Sequence, residues 1–286
     1  MRIGAGMRLK YLFDITRMAF RSQGVPETLK LVHGYLGNKF FPVSSDETAR
    51  RFRLGQRLSE KLDHTVAYGP FRGLVLSDTS WWGAADRGSM LLGLYEQEVL
   101  SKLSELSSGR STLIDLGAAD GYYAVGAVTS GLFDNSIAFE ISEIGQTAII
   151  ENAHRNSVGD RIRVFGEAKS DFLTSLNTHF GLDLSGTVLL IDIEGAEFDL
   201  LSGELLHELR HAALIVEIHD FLQSDSRRVE LLLERAKDFF ESSWITAGQR
   251  DLSAFMEIDE WPDDDRWILC SESRPKRMKW LVLAPR

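Results

Sequence analysis

Among 286 residues there is one cysteine, Cys270, and there are six prolines. A single thiol closes no intrachain disulfide, so nothing speaks for an oxidising compartment. A cysteine-rich zinc site is excluded as well. No apolar run reaches the ~18 residues that a spanning helix needs. The N-terminus is basic, but it lacks an uninterrupted apolar stretch and a small-residue cleavage site. No signal peptide is read there, and the expected location is the cytoplasm. Basic charge is scarce too, with a formal net charge of −10. Without a basic stripe, nucleic acid is a poor candidate partner. The exception is the first forty residues, where seven Lys/Arg face two Asp/Glu. Such a segment suits an added helix, a homodimer contact or an anionic membrane surface.

What is present is a pattern of short apolar runs separated by helix-like segments. The runs are 112–116, 136–141, 162–165, 187–193, 213–218, 244–247 and 279–284. Helices are expected near 121–130, 145–155, 170–180, 197–208 and 226–240. Further helices are expected at 7–20, at 46–62 with Asp46 as N-cap, and at 90–106, where Leu91, Leu92, Tyr95, Val99, Leu103 and Leu106 keep helical spacing. Strand and helix alternating at this pace predict βαβ units, a parallel sheet and an α/β fold. Strands covered on both faces account for the continuous apolar runs. The expected organisation is a helical N-terminal extension, 1–75, and one α/β domain, 76–286.

In such sheets ligands bind beyond the carboxyl ends of the strands. Nearly every run here ends in an acid: Asp115, Glu140, Glu167, Asp192 and Glu217. That suits a ligand with hydroxyls, amines or positive charge better than a phosphate. The first turn, "DLGAADGYY", carries Gly117 and Gly121, which permit a tight turn and close backbone approach. It is not the full G-x-G-x-x-G of pyrophosphate binding. Glu140 closes the second strand, where an acid can accept hydrogen bonds from a ribose diol. Gly turn and acid together predict a bound nucleoside, and both NAD and S-adenosylmethionine (SAM) satisfy that. SAM carries a sulfonium and an ammonium and no pyrophosphate, so the acids suit it better.

After the fourth run comes "IDIEGAEFDLL", with Asp192, Glu194 and Glu197 close together. Glu197 is expected in the first turn of a helix, where an acid gains ~0.3–1 kcal/mol from the dipole. Asp192 is expected to face the crevice. After the fifth run, Glu217 and His219 share one strand face, and His219 is the candidate base for a hydroxyl proton. The same groups, Asp192, Glu217 and His219, are a donor set that would suit a divalent cation, Mg²⁺ or Mn²⁺, although the sequence requires none. Two flanks are candidate acceptor walls: 77–90, with Trp81 and Trp82, and the long segment 248–278, with Trp261, Arg266 and Trp267.

"LIDLGAADGYYAVG", "FEIS", "LLIDIEGAEFDLL" and "LIVEIHD" together resemble the class I SAM-dependent methyltransferases, and most of all their FkbM-type branch. The resemblance covers about residues 112–220. It implies a Rossmann-like class I methyltransferase fold: a mostly parallel seven-stranded sheet with helices on both faces. It implies that Asp115, Gly117, Ala119 and Gly121 hold the methionine end of SAM, with Tyr122 starting the helix beside it. Glu140 would take the ribose, Glu167 and Ala168 would border the adenine, and Asp192 would lie near the methyl group. Ala119 and Asp120 depart from that branch, which often has Asn and then a variable residue. The implied activity is O-methylation of a hydroxyl on a sugar, glycan or glycosylated natural product. The alternatives are an NAD-binding oxidoreductase, which the missing third glycine disfavours, and a non-catalytic methyltransferase-like interaction module.

Overall fold

The computed structural model describes residues 45–286 apart from 79, 81, 170, 223–226, 273 and 275. The helix expected at 7–20, the basic first forty residues and Trp81 lie outside the described residues.

Seven strands form one sheet: β1 (Thr112–Leu116), β2 (Asn135–Phe139), β3 (Ile162–Phe165), β4 (Thr187–Ile191), β5 (Ala213–Glu217), β6 (Phe240–Thr246) and β7 (Lys279–Pro285). Their order is β3-β2-β1-β4-β5-β7-β6. The first five are parallel, and β7 runs antiparallel between β5 and β6. This is the mostly parallel seven-stranded sheet that the resemblance implies, and the order reverses between β1 and β4. Ligand crevices open at such reversals.

The period of two along each strand sorts the side chains into two cores. One face buries Leu113, Ala138, Val188, Leu190, Ala213 and Ile215. The other buries Ile114, Leu116, Phe139, Ile191, Leu214 and Val216. The first core also takes Leu54, Leu58, Phe71 and Leu74, so residues from 45 onward share the core of the sheet domain.

The helices are α1 (Ser45–Lys61), α2 (Arg87–Leu91), α3 (Gln97–Leu106), α4 (Tyr122–Thr129), α5 (Glu143–Arg155), α6 (Phe172–Phe180), α7 (Glu197–Leu200), α8 (Gly203–Glu208), α9 (Arg228–Ala236) and α10 (Asp263–Cys270). Three expectations change. The helix at 90–106 is two helices, α2 and α3, because the chain turns through left-handed backbone at Gly93 (φ 65°) and Glu96 (φ 45°). The helix at 197–208 is also two, because the Ser202 side chain caps α8 by accepting from Leu205 N at 3.2 Å. The helix at 226–240 stops at Ala236, and the buried Phe240 opens β6 instead.

The segment 248–278 holds two 3-10 turns and α10. The three aspartates that open α10 lie at the positive end of its dipole, and Asp265 accepts from Arg50 of α1 at 2.7 Å. Trp261 is buried, with the Arg57 guanidinium 4.5 Å from its ring centre. The far end of the segment reaches the strand ends, where Arg274 pairs with Glu217 and Lys276 with Asp220.

Candidate active site

Asp115, Glu140, Asp192 and Glu217 continue the series of side chains on one face of the sheet, past Leu113, Ala138, Leu190 and Ile215. Register then places them. Leu190 pairs with Ile215 and Ile191 with Val216, so Asp192 and Glu217 lie level on neighbouring strands. Asp115 sits one step inside, paired with Ala138 and Leu190. An acid row that looks scattered in sequence is thus one wall.

The Gly turn closes that wall from above. Gly117 has φ 91°, and a Cβ there would lie 1.8 Å from the Asp192 carbonyl oxygen, so the turn after β1 packs directly on the turn after β4. Ala119 adopts φ 51°, a conformation that costs a residue other than glycine ~1–2 kcal/mol. Asparagine at this position would tolerate it better. Glu140 pins the turn: its Oε2 accepts from Ala119 N at 2.9 Å and its Oε1 from Ser142 N at 2.7 Å. Burial pushes its carboxyl up to about 7 against the pull of those amides. Asp115 is 2% exposed, and among the described residues its Oδ2 has no hydrogen-bond partner. Burial, with Asp192 nearby, raises it to about 8.

Tyr122 begins α4, but its ring packs edge-on against Phe71, Tyr95 and Tyr123, and its buried hydroxyl has no hydrogen-bond partner among the described residues. Glu167 is exposed beyond β3, and Ala168 packs against the second core. Among the described residues neither makes a hydrogen bond or ion pair with the acid row.

The acids after β4 do different work. Asp192 and Glu194 reach the crevice, with side chains 40% and 49% exposed. Glu197 is fully buried. Its Oε2 accepts from Gly195 N at 2.8 Å and its Oε1 from His219 N at 2.9 Å. It therefore ties the end of β4 to the end of β5, a stronger role than the helix-dipole contact expected of it. His219 lies among four carboxylates. Its Nδ1 is 3.5 Å from Glu197 Oε1, and its Nε2 is 3.7 Å from Asp192 Oδ1, 3.7 Å from Glu194 Oε2 and 4.0 Å from Glu217 Oε2. Burial disfavours the charged ring, but these carboxylates outweigh it and raise the imidazolium to about 9. Glu217, 1% exposed, is pushed well above the usual carboxylate range by burial and by Asp192.

Two groups enter the site from outside the strand ends. Glu96, buried between α2 and α3, accepts from Tyr123 Oη at 2.6 Å and pairs with Arg274. Arg274 also reaches Glu217 at 3.0 Å and Glu272 at 3.3 Å. It is a cation set against a wall of buried acids. Sequence position alone gave no sign of either group. A separate hollow lined by Leu62, Tyr68, Arg72 and Glu257 contains none of these residues. No helix among the described residues is long and apolar enough to cross a membrane.

Neither a protein-family model nor a curated protein sequence matches the chain. Solved structures do. A putative tRNA (m1A22) methyltransferase of Streptococcus pneumoniae, in complex with SAM, is 15% identical over 66% of this chain and 72% of its own, with a TM-score of 0.42. An O-methyltransferase of Bacillus cereus, in complex with S-adenosylhomocysteine (SAH), is 12% identical over 88% and 97%, with a TM-score of 0.42. A putative O-methyltransferase of Klebsiella pneumoniae is 12% identical over 90% and 97%, with a TM-score of 0.43. The strand order and directions by themselves show a Rossmann-like α/β fold.

Proposed function

We propose that the chain is a SAM-dependent methyltransferase of the FkbM-type branch. Its acceptor would be a hydroxyl on a sugar, glycan or glycosylated natural product. The observation that carries this reading is the convergence of Asp115, Glu140, Asp192 and Glu217 on one sheet face beneath the Gly117–Gly121 turn. A wall of buried acids suits a ligand that brings cations and hydroxyls. Asp115 Oδ2, which accepts no hydrogen bond among the described residues, fits the same ligand. When bound, SAM supplies a methyl group on a sulfonium, an electrophile that needs no further activation.

The protein's part is positioning. Asp115, Gly117, Ala119 and Gly121 would hold the methionine end, Glu140 the ribose, and Glu167 with Ala168 the adenine border. Tyr122 would support the turn through its aromatic packing. Asp192, Glu217 and His219 line the acceptor side. The surrounding acids raise the His219 pKa to about 9; beside a cationic cofactor that shift would be smaller, and Nε2 of the neutral ring would accept the hydroxyl proton. The net charge of −10 and the acid wall favour a neutral hydroxyl acceptor over a polyanion such as RNA.

Glu140→Ala tests the cofactor assignment. SAM affinity is expected to fall at least ten-fold, and an unchanged affinity removes the ribose role. Transfer of labelled methyl from SAM to a panel of oligosaccharides and glycosides tests the acceptor class; labelling of RNA with none of the sugars would overturn it.

A further inference from the structure

We propose that Asp192, Glu194 and His219 form a binding site for one divalent first-row transition-metal ion, with His219 Nε2 as the nitrogen ligand. Binding itself is argued from these side chains alone; only the ion's use in methyl transfer rests on the function proposed above.

Each of the three residues offers a ligand atom, and the three atoms lie within 4.8 Å of one another. The two carboxylate oxygens are each 3.7 Å from Nε2. Ligands held about 2.1 Å from one ion sit roughly 3.0–3.5 Å apart. Closing the two 3.7 Å gaps thus takes roughly 0.2–0.7 Å, and the two carboxylate oxygens, no more than 4.8 Å apart, close by at most roughly 1.8 Å, within reach of half-exposed side chains.

A cluster of acids alone would show little, since acids often gather on surfaces without an ion. The histidine adds an independent observation. Its side chain is 4% exposed, yet among the described residues Nε2 makes no hydrogen bond and meets only carboxylate oxygens, at 3.7–4.0 Å. Nδ1 faces the fully buried Glu197 carboxylate at 3.5 Å, and Nε2 points into the gap between Asp192 and Glu194. A buried carboxylate behind one ring nitrogen, with the other nitrogen aimed at oxygen donors, is how proteins orient a metal-bound imidazole. Glu197 is itself held by the amides of Gly195 and His219, so the ring is backed by a rigid support.

The geometry also revises the donor set expected from sequence. Glu217 is 4.0 Å from Nε2 and spends Oε1 on Arg274. Glu194, from the turn after β4, takes its place. One imidazole with two carboxylates favours Mn²⁺ or Zn²⁺ over Mg²⁺ or Ca²⁺, which prefer oxygen alone. Three protein ligands leave open positions on the crevice side. The ligand class they would take is a hydroxyl or a vicinal diol, whose acidity rises on coordination. In that state Nε2 is occupied by the ion and is not the proton acceptor.

The experiment is titration of chelator-stripped full-length protein with Mn²⁺ alone, followed by electron paramagnetic resonance of the free ion. SAM binding is measured calorimetrically on the same metal-free sample. The expected result is one Mn²⁺ per chain, weakened at least ten-fold in Glu194→Gln and unchanged in Asp183→Asn, an exposed acid remote from the cluster. Glu194 is half-exposed and makes no hydrogen bond among the described residues, so Glu194→Gln is expected to fold, as its circular dichroism and melting curve will show. No Mn²⁺ binding, or equal binding by wild type and Glu194→Gln, overturns the site. SAM binding without Mn²⁺ binding sinks the metal inference alone. Mn²⁺ binding without SAM binding leaves the site standing and sinks the methyltransferase reading.

Discussion

Replacing Glu197 with alanine separates two accounts of the acids after β4. If Glu197 serves only the dipole of α7, its loss costs ~0.3–1 kcal/mol. The structure gives it more to do: it is fully buried and accepts from two backbone amides, Gly195 and His219. Removing the acceptor from a buried donor costs about 1–3 kcal/mol. Two such amides therefore set the expected loss at about 2–5 kcal/mol once local relaxation is allowed. At roughly 2 °C per kcal/mol for a chain of this size, the melting temperature should fall by about 4–10 °C. Urea unfolding at pH 7 reads the same quantity. Glu197→Gln keeps one acceptor oxygen and is expected to lose less than the alanine variant. A loss below about 1 kcal/mol in Glu197→Ala would refute the tie between β4 and β5 and restore the dipole reading.

The buried acids make stability depend on pH. Asp115 and Glu140 have folded values of about 8 and about 7, raised by burial above their unfolded ones. The folded state then binds more protons, so the stability these groups contribute is present in acid and is lost as pH rises through 7–8. Wild-type urea midpoints should fall from pH 5.5 to 8.5, and Asp115→Asn should flatten that slope; a midpoint that rises over this range contradicts the reasoning. Arg274→Met strips the counter-charge from Glu96 and Glu217. Unfolding should show a loss of about 2–4 kcal/mol at pH 8 for this partly buried pair, and a smaller loss at pH 5.5 where the acids take up protons. An equal loss at both pH values would mean that Arg274 acts by packing. Tyr122→Phe removes a buried hydroxyl that has no hydrogen-bond partner among the described residues, so stability should hold or rise and SAM affinity should not change. A weaker affinity would show that this hydroxyl meets the ligand.

The strands were legible because burial on both faces leaves continuous apolar runs, as at Thr187–Ile191. The acid row was legible for the same reason, since period two carries Leu113 to Asp115 and Leu190 to Asp192 on one face. Helix length was less so. The apolar spacing over 90–106 serves one core, but two helices satisfy it once Gly93 and Glu96 turn the chain. The long segment before β7 shows no clear period because its buried residues, Leu252, Phe255, Ile258, Trp261 and Leu269, enter the first core from short turns and one short helix. The contacts that shape the site were not legible at all. Glu197 meets His219 across two elements, and Arg274 meets Glu96 from the far end of the chain. Such pairs leave no trace in local spacing.

The central claim is that the acid-walled crevice binds SAM, and calorimetric titration of the purified protein with SAM and with SAH tests it most directly. The account predicts one site per chain with micromolar affinity for either ligand, weakened at least ten-fold by Glu140→Ala. Absence of binding by both ligands to folded protein would contradict it, and the strand-end acids would then serve a different ligand.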